Sequence, residues 1–288
     1  MDRLEKERLA LFVPGLYTYV SRYPRVSVFL LVNLAYTTTV GILYAEAYRY
    51  RGWKAYLSSD LWSHAAWYVV LFVLFFLVYE MGYIHNDTVA VRKEPHPKYR
   101  LSGMPPLSLV GASFLFRFAS FSGILSYLYV ARNWAYAPYF AAYAALMLVV
   151  FYVHDTVPKR YRLGTIFFLR CYRATAPLAS VMALTQDIAL PISIYAVAFS
   201  GYNVLSYLSV NKNSFSLCTN TQRTLELYSP RTRTLAISGT VTILALVAAG
   251  LGQLSVWHAL TFSLLCTTYM VALYLVQTHS AFKSYSFS

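Results

Sequence analysis

The chain has 288 residues, of which 58% are hydrophobic and 12% charged, with a mean hydropathy of +0.48 and a net charge of +13. A soluble domain carries roughly 25% charged residues, so this composition excludes a water-facing globule and requires much of the exterior to face lipid. In a soluble protein the positive balance would suggest nucleic acid. Here the cations flank apolar runs, and no nucleic-acid partner is expected.

The chain opens on a charged stretch with Asp2, Arg3, Glu5, Lys6, Glu7 and Arg8. It has no apolar run with a cleavage signature, so no cleaved signal peptide is expected. A span needs ~20 mostly apolar residues. On that basis we expect an all-α integral membrane protein, 1–288 forming one polytopic domain. Its spans are predicted at about 26–46, 62–84, 107–130, 134–153, 164–183, 188–209, 235–252 and 256–277. Cys171, Cys218 and Cys266 have neither metal-ligand spacing nor the pattern of a disulfide framework and read as buried thiols.

Charge orients the spans. Arg22 and Arg25 precede the first span. Arg92, Lys93, Lys98 and Arg100 follow the second, Lys159, Arg160 and Arg162 the fourth, and Lys212, Arg223, Arg231 and Arg233 the sixth. The opposite side holds only Arg49, Arg51, Lys54 and Arg132. Positive charge concentrates on the cytoplasmic side of membrane proteins, which predicts cytoplasmic termini in a plasma (inner) membrane. The same cations suit membrane lipids with anionic head groups, or a phosphorylated substrate. Tyrosines near the span ends, Tyr17 and Tyr19 among them, read mostly as an interfacial belt.

The loop after the second span is the most informative stretch, VYEMGYIHNDTVAVRKEPHPKYRLSG from Val78 to Gly103. If the span continues as a helix to Glu94, then Asn86, Ala90 and Glu94 share one face. Pro95 and Pro97 then end the helix. Asn86, Asp87 and Glu94 make a small set of oxygen ligands of the kind Mg²⁺ uses together with substrate phosphates. Arg92, Lys93, Lys98 and Arg100 follow and could neutralise the same phosphates. The plainer alternative is a helix end followed by solvated loop charges.

These residues resemble the first signature of the UbiA-type intramembrane prenyltransferase superfamily, Asn-Asp-x-x-Asp-x-x-x-Asp followed by an arginine near a Leu-x-x-Gly segment. Asn86 and Asp87 match, Glu94 replaces the last aspartate, Arg100, Leu101 and Gly103 fit the tail, and Ala90 stands where an aspartate is usual. SRYPRVSVFLLVNLAY, from Ser21, is similar to the family's entry into its first span. YVHDTVPKRYRLGT, from Tyr152, resembles its Tyr-x-x-x-Lys-Arg loop, with Lys159 and Arg160 as the basic pair. After the sixth span the family has a second acidic motif; here Asn203, Asn211 and Asn213 occupy that stretch. The resemblance implies a bundle of about eight, possibly nine, helices around a cavity open to lipid. Its implied activity is Mg²⁺-assisted transfer of a prenyl or phosphoribosyl group from or to a polyprenyl (di)phosphate. Asn86, Asp87 and Glu94 would be catalytic and metal-binding. Arg92, Lys93, Arg100, Lys159, Arg160, Arg170, Asn203 and Asn211 would bind substrate. With fewer carboxylates the ion would be held more weakly, or Arg and Lys would hold phosphates directly.

Arg117, Arg170 and Arg173 fall inside predicted spans, where charge is costly unless paired. Glu80 or Asp87 could pair with Arg117, and Arg170 and Arg173 could snorkel to the surface. A non-catalytic lipid-binding relative and a small transporter are the alternative readings. The cytoplasmic placement of the polar motifs argues against a transporter, whose site belongs near the midplane.

Overall fold

The computed structural model describes residues 3–22, 59–93, 99–158, 162–175 and 230–252, with the single positions 197, 200, 201 and 204. Every regular element among them is helical. In chain order these are α1 (Arg3–Ala10), α2 (Leu16–Arg22), α3 (Ser59–Thr88), a 3₁₀ turn (Ala90–Lys93), α4 (Leu107–Ala131), α5 (Ala137–Thr156), α6 (Arg162–Thr175) and α7 (Pro230–Gly250). Among the described residues three segments are long and apolar enough to cross a membrane: Val69–Arg92, Leu107–Ala131 and Ala137–Thr156. They correspond to the predicted second, third and fourth spans. The predicted spans at about 26–46, 188–209 and 256–277 lie wholly or largely outside the described residues.

The chain divides into two compact units, Met1–Asn33 with Ala65–Val157, and Leu34–His64 with Pro158–Ser288. In the first unit α4 and α5 pack side by side. Their connection is short because α4 ends on a tight cap. Asn133 takes a left-handed conformation, φ 50°, and the Trp134 N–H donates to the Leu128 carbonyl at 3.0 Å. The bond spans six residues, one more than in a Schellman motif, and Asn takes the left-handed position after the helix where Gly is commonest. Pro138 then starts α5 in the first turn, where a missing N–H costs nothing. On α3 the rings of Phe75, Tyr79 and Tyr83 form a ladder, and Phe151 of α5 sits edge-on to Tyr79 and Tyr83. Gly82 makes this approach possible, because a Cβ there would overlap the Phe151 ring.

The second unit contributes α6 and α7. Arg170 is half-buried on α6 and Arg173 is buried. Along α7, Val241, Ala245 and Ala248 are buried while Ile243 and Val247 are exposed, which marks one inward face.

The helix expected to run to Glu94 does not. α3 ends at Thr88, whose hydroxyl turns back onto the Ile84 carbonyl at 2.6 Å, and a 3₁₀ turn follows. Arg92 stabilises that ending by donating to the carbonyls of Thr88 (2.8 Å) and Pro105 (3.2 Å). Three residues per turn replace 3.6 from Ala90 to Lys93, so the helical register of Asn86 is not kept beyond Thr88; Glu94 itself lies outside the described residues.

The N-terminal stretch is not a loose charged lead-in. α1 is built from strong helix formers, with an Arg3–Glu7 pair at 3.1 Å one turn apart. α2 returns against it after a turn through Gly15, whose φ of 83° suits glycine. Ala10, Leu11 and Tyr17 of this hairpin join Ile84, Leu101 and Val110 in one buried cluster. Glu7 ties the open end of the hairpin to the loop before α4, accepting the Ser102 N–H at 3.0 Å and its hydroxyl at 2.7 Å.

Candidate functional site

Two polar clusters lie along the hairpin in the first unit. The deeper one is Glu80 with Arg117, both fully buried and 3.0 Å apart. Glu80 lies near the middle of its apolar segment, and Arg117 lies about 15 Å into α4 at 1.5 Å per residue. Glu80 accepts the backbone N–H groups of Gly15 (2.9 Å) and Thr18 (2.6 Å) at the start of α2. Arg117 donates to the carbonyls of Leu11 (2.6 Å), Ala10 (3.1 Å) and Val13 (3.3 Å) at the end of α1, and to Phe76. A helix start bears orphan N–H donors and partial positive charge; a helix end bears the reverse. The ion pair satisfies both ends at once, so a broken backbone is accommodated among apolar helices. Of the two partners the sequence allows for Arg117, the structure selects Glu80.

The second cluster surrounds Asp87, the penultimate residue of α3. Asp87 is buried. One terminal nitrogen of Arg22 lies 2.9 Å from each of its carboxylate oxygens. The Tyr17 hydroxyl donates to it at 3.2 Å, the Asn86 side-chain amide at 3.1 Å, and Arg100 Nε lies at 3.5 Å. The Arg22 guanidinium also covers the Tyr83 ring, 4.5 Å from its centre. Burial, and then the Asp87 carboxylate, push the Tyr17 phenol well above its usual range, which keeps it a donor. Beside this group His85 Nδ1 lies 2.5 Å from Asp155 of α5, and the Asp155 charge bears on Asp87. Among the described residues, Arg22 Nε and Asp155 Oδ1 are buried without a hydrogen-bond partner.

The predicted site residues separate clearly. Asn86, Asp87 and Arg100 come together. Arg92 is spent on backbone carbonyls, and Arg170 belongs to the second unit. Glu94, Lys159, Arg160, Asn203 and Asn211, and the side chain of Lys93, lie outside the described residues. Tyr17, Arg22, His85 and Asp155 complete the cluster without having been singled out. Tyr17 is fully buried instead of interfacial, and Arg22 is more than an orienting charge. The one available signal was the sequence YVHDTV, which puts an aspartate at the end of a predicted span.

As a holder of Mg²⁺, the described arrangement fits poorly. Both Asp87 oxygens face a guanidinium nitrogen, and among the described residues no group of three His, Cys, Asp or Glu is arranged for a metal. What the cluster offers is a carboxylate holding two guanidinium groups and a phenol at the end of an apolar helix. No protein-family model, curated protein or solved structure matches this chain.

Proposed function

We propose that the chain is a divergent UbiA-type transferase that binds a polyprenyl (di)phosphate, its eight spans surrounding a cavity open to lipid. The observation that supports this is the convergence of Arg22 and Arg100 on Asp87 where an apolar helix ends. A phosphorylated lipid whose chain lies among apolar helices must place its head group at such an end. Guanidinium groups hold phosphate oxygens with directional, charge-assisted bonds. In this reading they stabilise the departing phosphate charge, an electrostatic and positioning role. Asp87 orients the two guanidinium groups and Tyr17 holds Asp87. No step is assigned to Mg²⁺.

A second reading has an observation of its own. Asp87 is already neutralised by groups of the same chain, which suits a non-catalytic relative that binds the lipid and stops there.

Mass spectrometry of the purified protein, combined with a transfer assay, separates the two. A co-purifying polyprenyl phosphate with transfer that Asp87→Asn abolishes supports the enzyme. The same lipid without transfer to any acceptor supports the binder. Absence of any phosphorylated polyprenyl lipid, in the preparation and on addition, sinks both.

A further inference from the structure

Arg22 holds Asp87 in an unusual way. A single terminal nitrogen bridges both carboxylate oxygens at equal distance, which leaves the rest of the fork unused on this partner. Its Nε is buried and has no partner among the described residues, although a buried donor left unsatisfied costs free energy. The guanidinium is fixed from below by the Tyr83 ring. It is also fixed through its helix. α2 begins on the Glu80 carboxylate, and Glu80 is held by Arg117. Arg22 is therefore a positioned cation with one edge on a carboxylate and an unspent donor on another.

A divalent ion in a phosphate site does the same job, joining carboxylate on one side to phosphate on the other. Resting on the lipid-phosphate reading above, we propose that Arg22 is this site's resident cation. The N-terminal hairpin delivers a guanidinium to Asp87 in place of a metal, and the chain recognises its phosphorylated ligand without Mg²⁺. Three observations agree with it. Asp87 has no oxygen free of a cationic or hydroxyl partner. Its first turn supplies Asn86, which donates to the carboxylate and is not turned outward as a ligand. The neighbouring carboxylate, Asp155, has one of its two oxygens engaged with His85. A guanidinium also keeps its charge at every physiological pH, so binding through it is insensitive to both chelator and mild acid.

The test is binding of farnesyl diphosphate to the full chain in nanodiscs, with EDTA or with Mg²⁺, by calorimetry. Wild type should bind equally in both buffers. Arg22→Gln should weaken binding in EDTA by on the order of ten- to a hundredfold, the weight of a charge-assisted hydrogen bond. Mg²⁺ should then restore part of the loss, because Asp87 is exposed to it; Arg22→Gln with Asp87→Asn should abolish that rescue. Arg22→Lys retains the charge and serves as the folding control, its melting temperature compared with wild type. Wild-type binding abolished by EDTA overturns the inference and leaves the lipid reading standing. Equal binding by Arg22→Gln and wild type in EDTA overturns it as well. No binding by wild type in either buffer removes the lipid reading and the inference together.

Discussion

Glu80 and Arg117 illustrate how much a buried charge depends on its whole set of partners. Each is fully buried, and each holds backbone groups of the hairpin in addition to the other. Removing one member of a buried pair leaves the other uncompensated and costs about 3–5 kcal/mol. Glu80→Gln and Arg117→Met should each lower the melting temperature strongly. The double variant should recover part of the loss, since no lone charge remains. Recovery will be incomplete because the Leu11 carbonyl loses its donor and a glutamine has one acceptor oxygen for the two N–H groups of Gly15 and Thr18. A double variant as unstable as the sum of the singles would show the pair to be uncoupled. Glu7 gives a milder, pH-dependent case. Burial raises its pKa, but the bonds from Ser102 and the Arg3 charge outweigh this and hold it below the ordinary value of 4.5. A carboxyl depressed in the fold contributes stability above its unfolded value and loses it as pH falls through the folded one. Limited proteolysis near the N-terminus should therefore accelerate below the ordinary carboxylate range. Glu7→Gln should cleave at an elevated rate already at neutral pH and show little further change in acid.

Among the elements, α3 does the most. Its apolar segment carries the aromatic ladder, the deep carboxylate and Asp87, and it meets α5 at Gly82. Gly82→Ala would drive a methyl into the Phe151 ring, an overpacking that costs typically 1–3 kcal/mol. Gly82→Ala with Phe151→Leu should melt above Gly82→Ala alone; a lower melting point would place the strain elsewhere. The long elements were legible in the sequence. Runs such as WYVVLFVLFFLVYE need no partner to declare themselves, and α3, α4 and α5 match the predicted spans closely. The hairpin was not legible. Two helices of eight and seven residues are too short to show a period, and isolated helices of that length are marginal in water. What holds them is tertiary, as at Glu80 and Arg117. The 3₁₀ ending of α3 was missed for a similar reason, since Arg92 acts through the Pro105 carbonyl, thirteen residues on.

At the scale of the molecule, the candidate site was half visible. Asn86, Asp87 and Arg100 lie within one loop and its helix, so their proximity follows from the chain itself. Arg22 reaches Asp87 across 65 residues and His85 reaches Asp155 across 70, distances over which a single sequence carries no signal of contact. The same separation bears on how the protein is made. Arg117 is 106 residues from the Leu11 carbonyl it holds. At ~5–20 residues per second, the hairpin waits roughly 5–20 s after synthesis before the guanidinium that closes its first helix exists. Glu80 arrives earlier and alone, a carboxylate with no counter-charge yet available from α4. During that interval the ends of α1 and α2 keep their water, so the order of synthesis seats this hairpin only after α4, made later, has arrived.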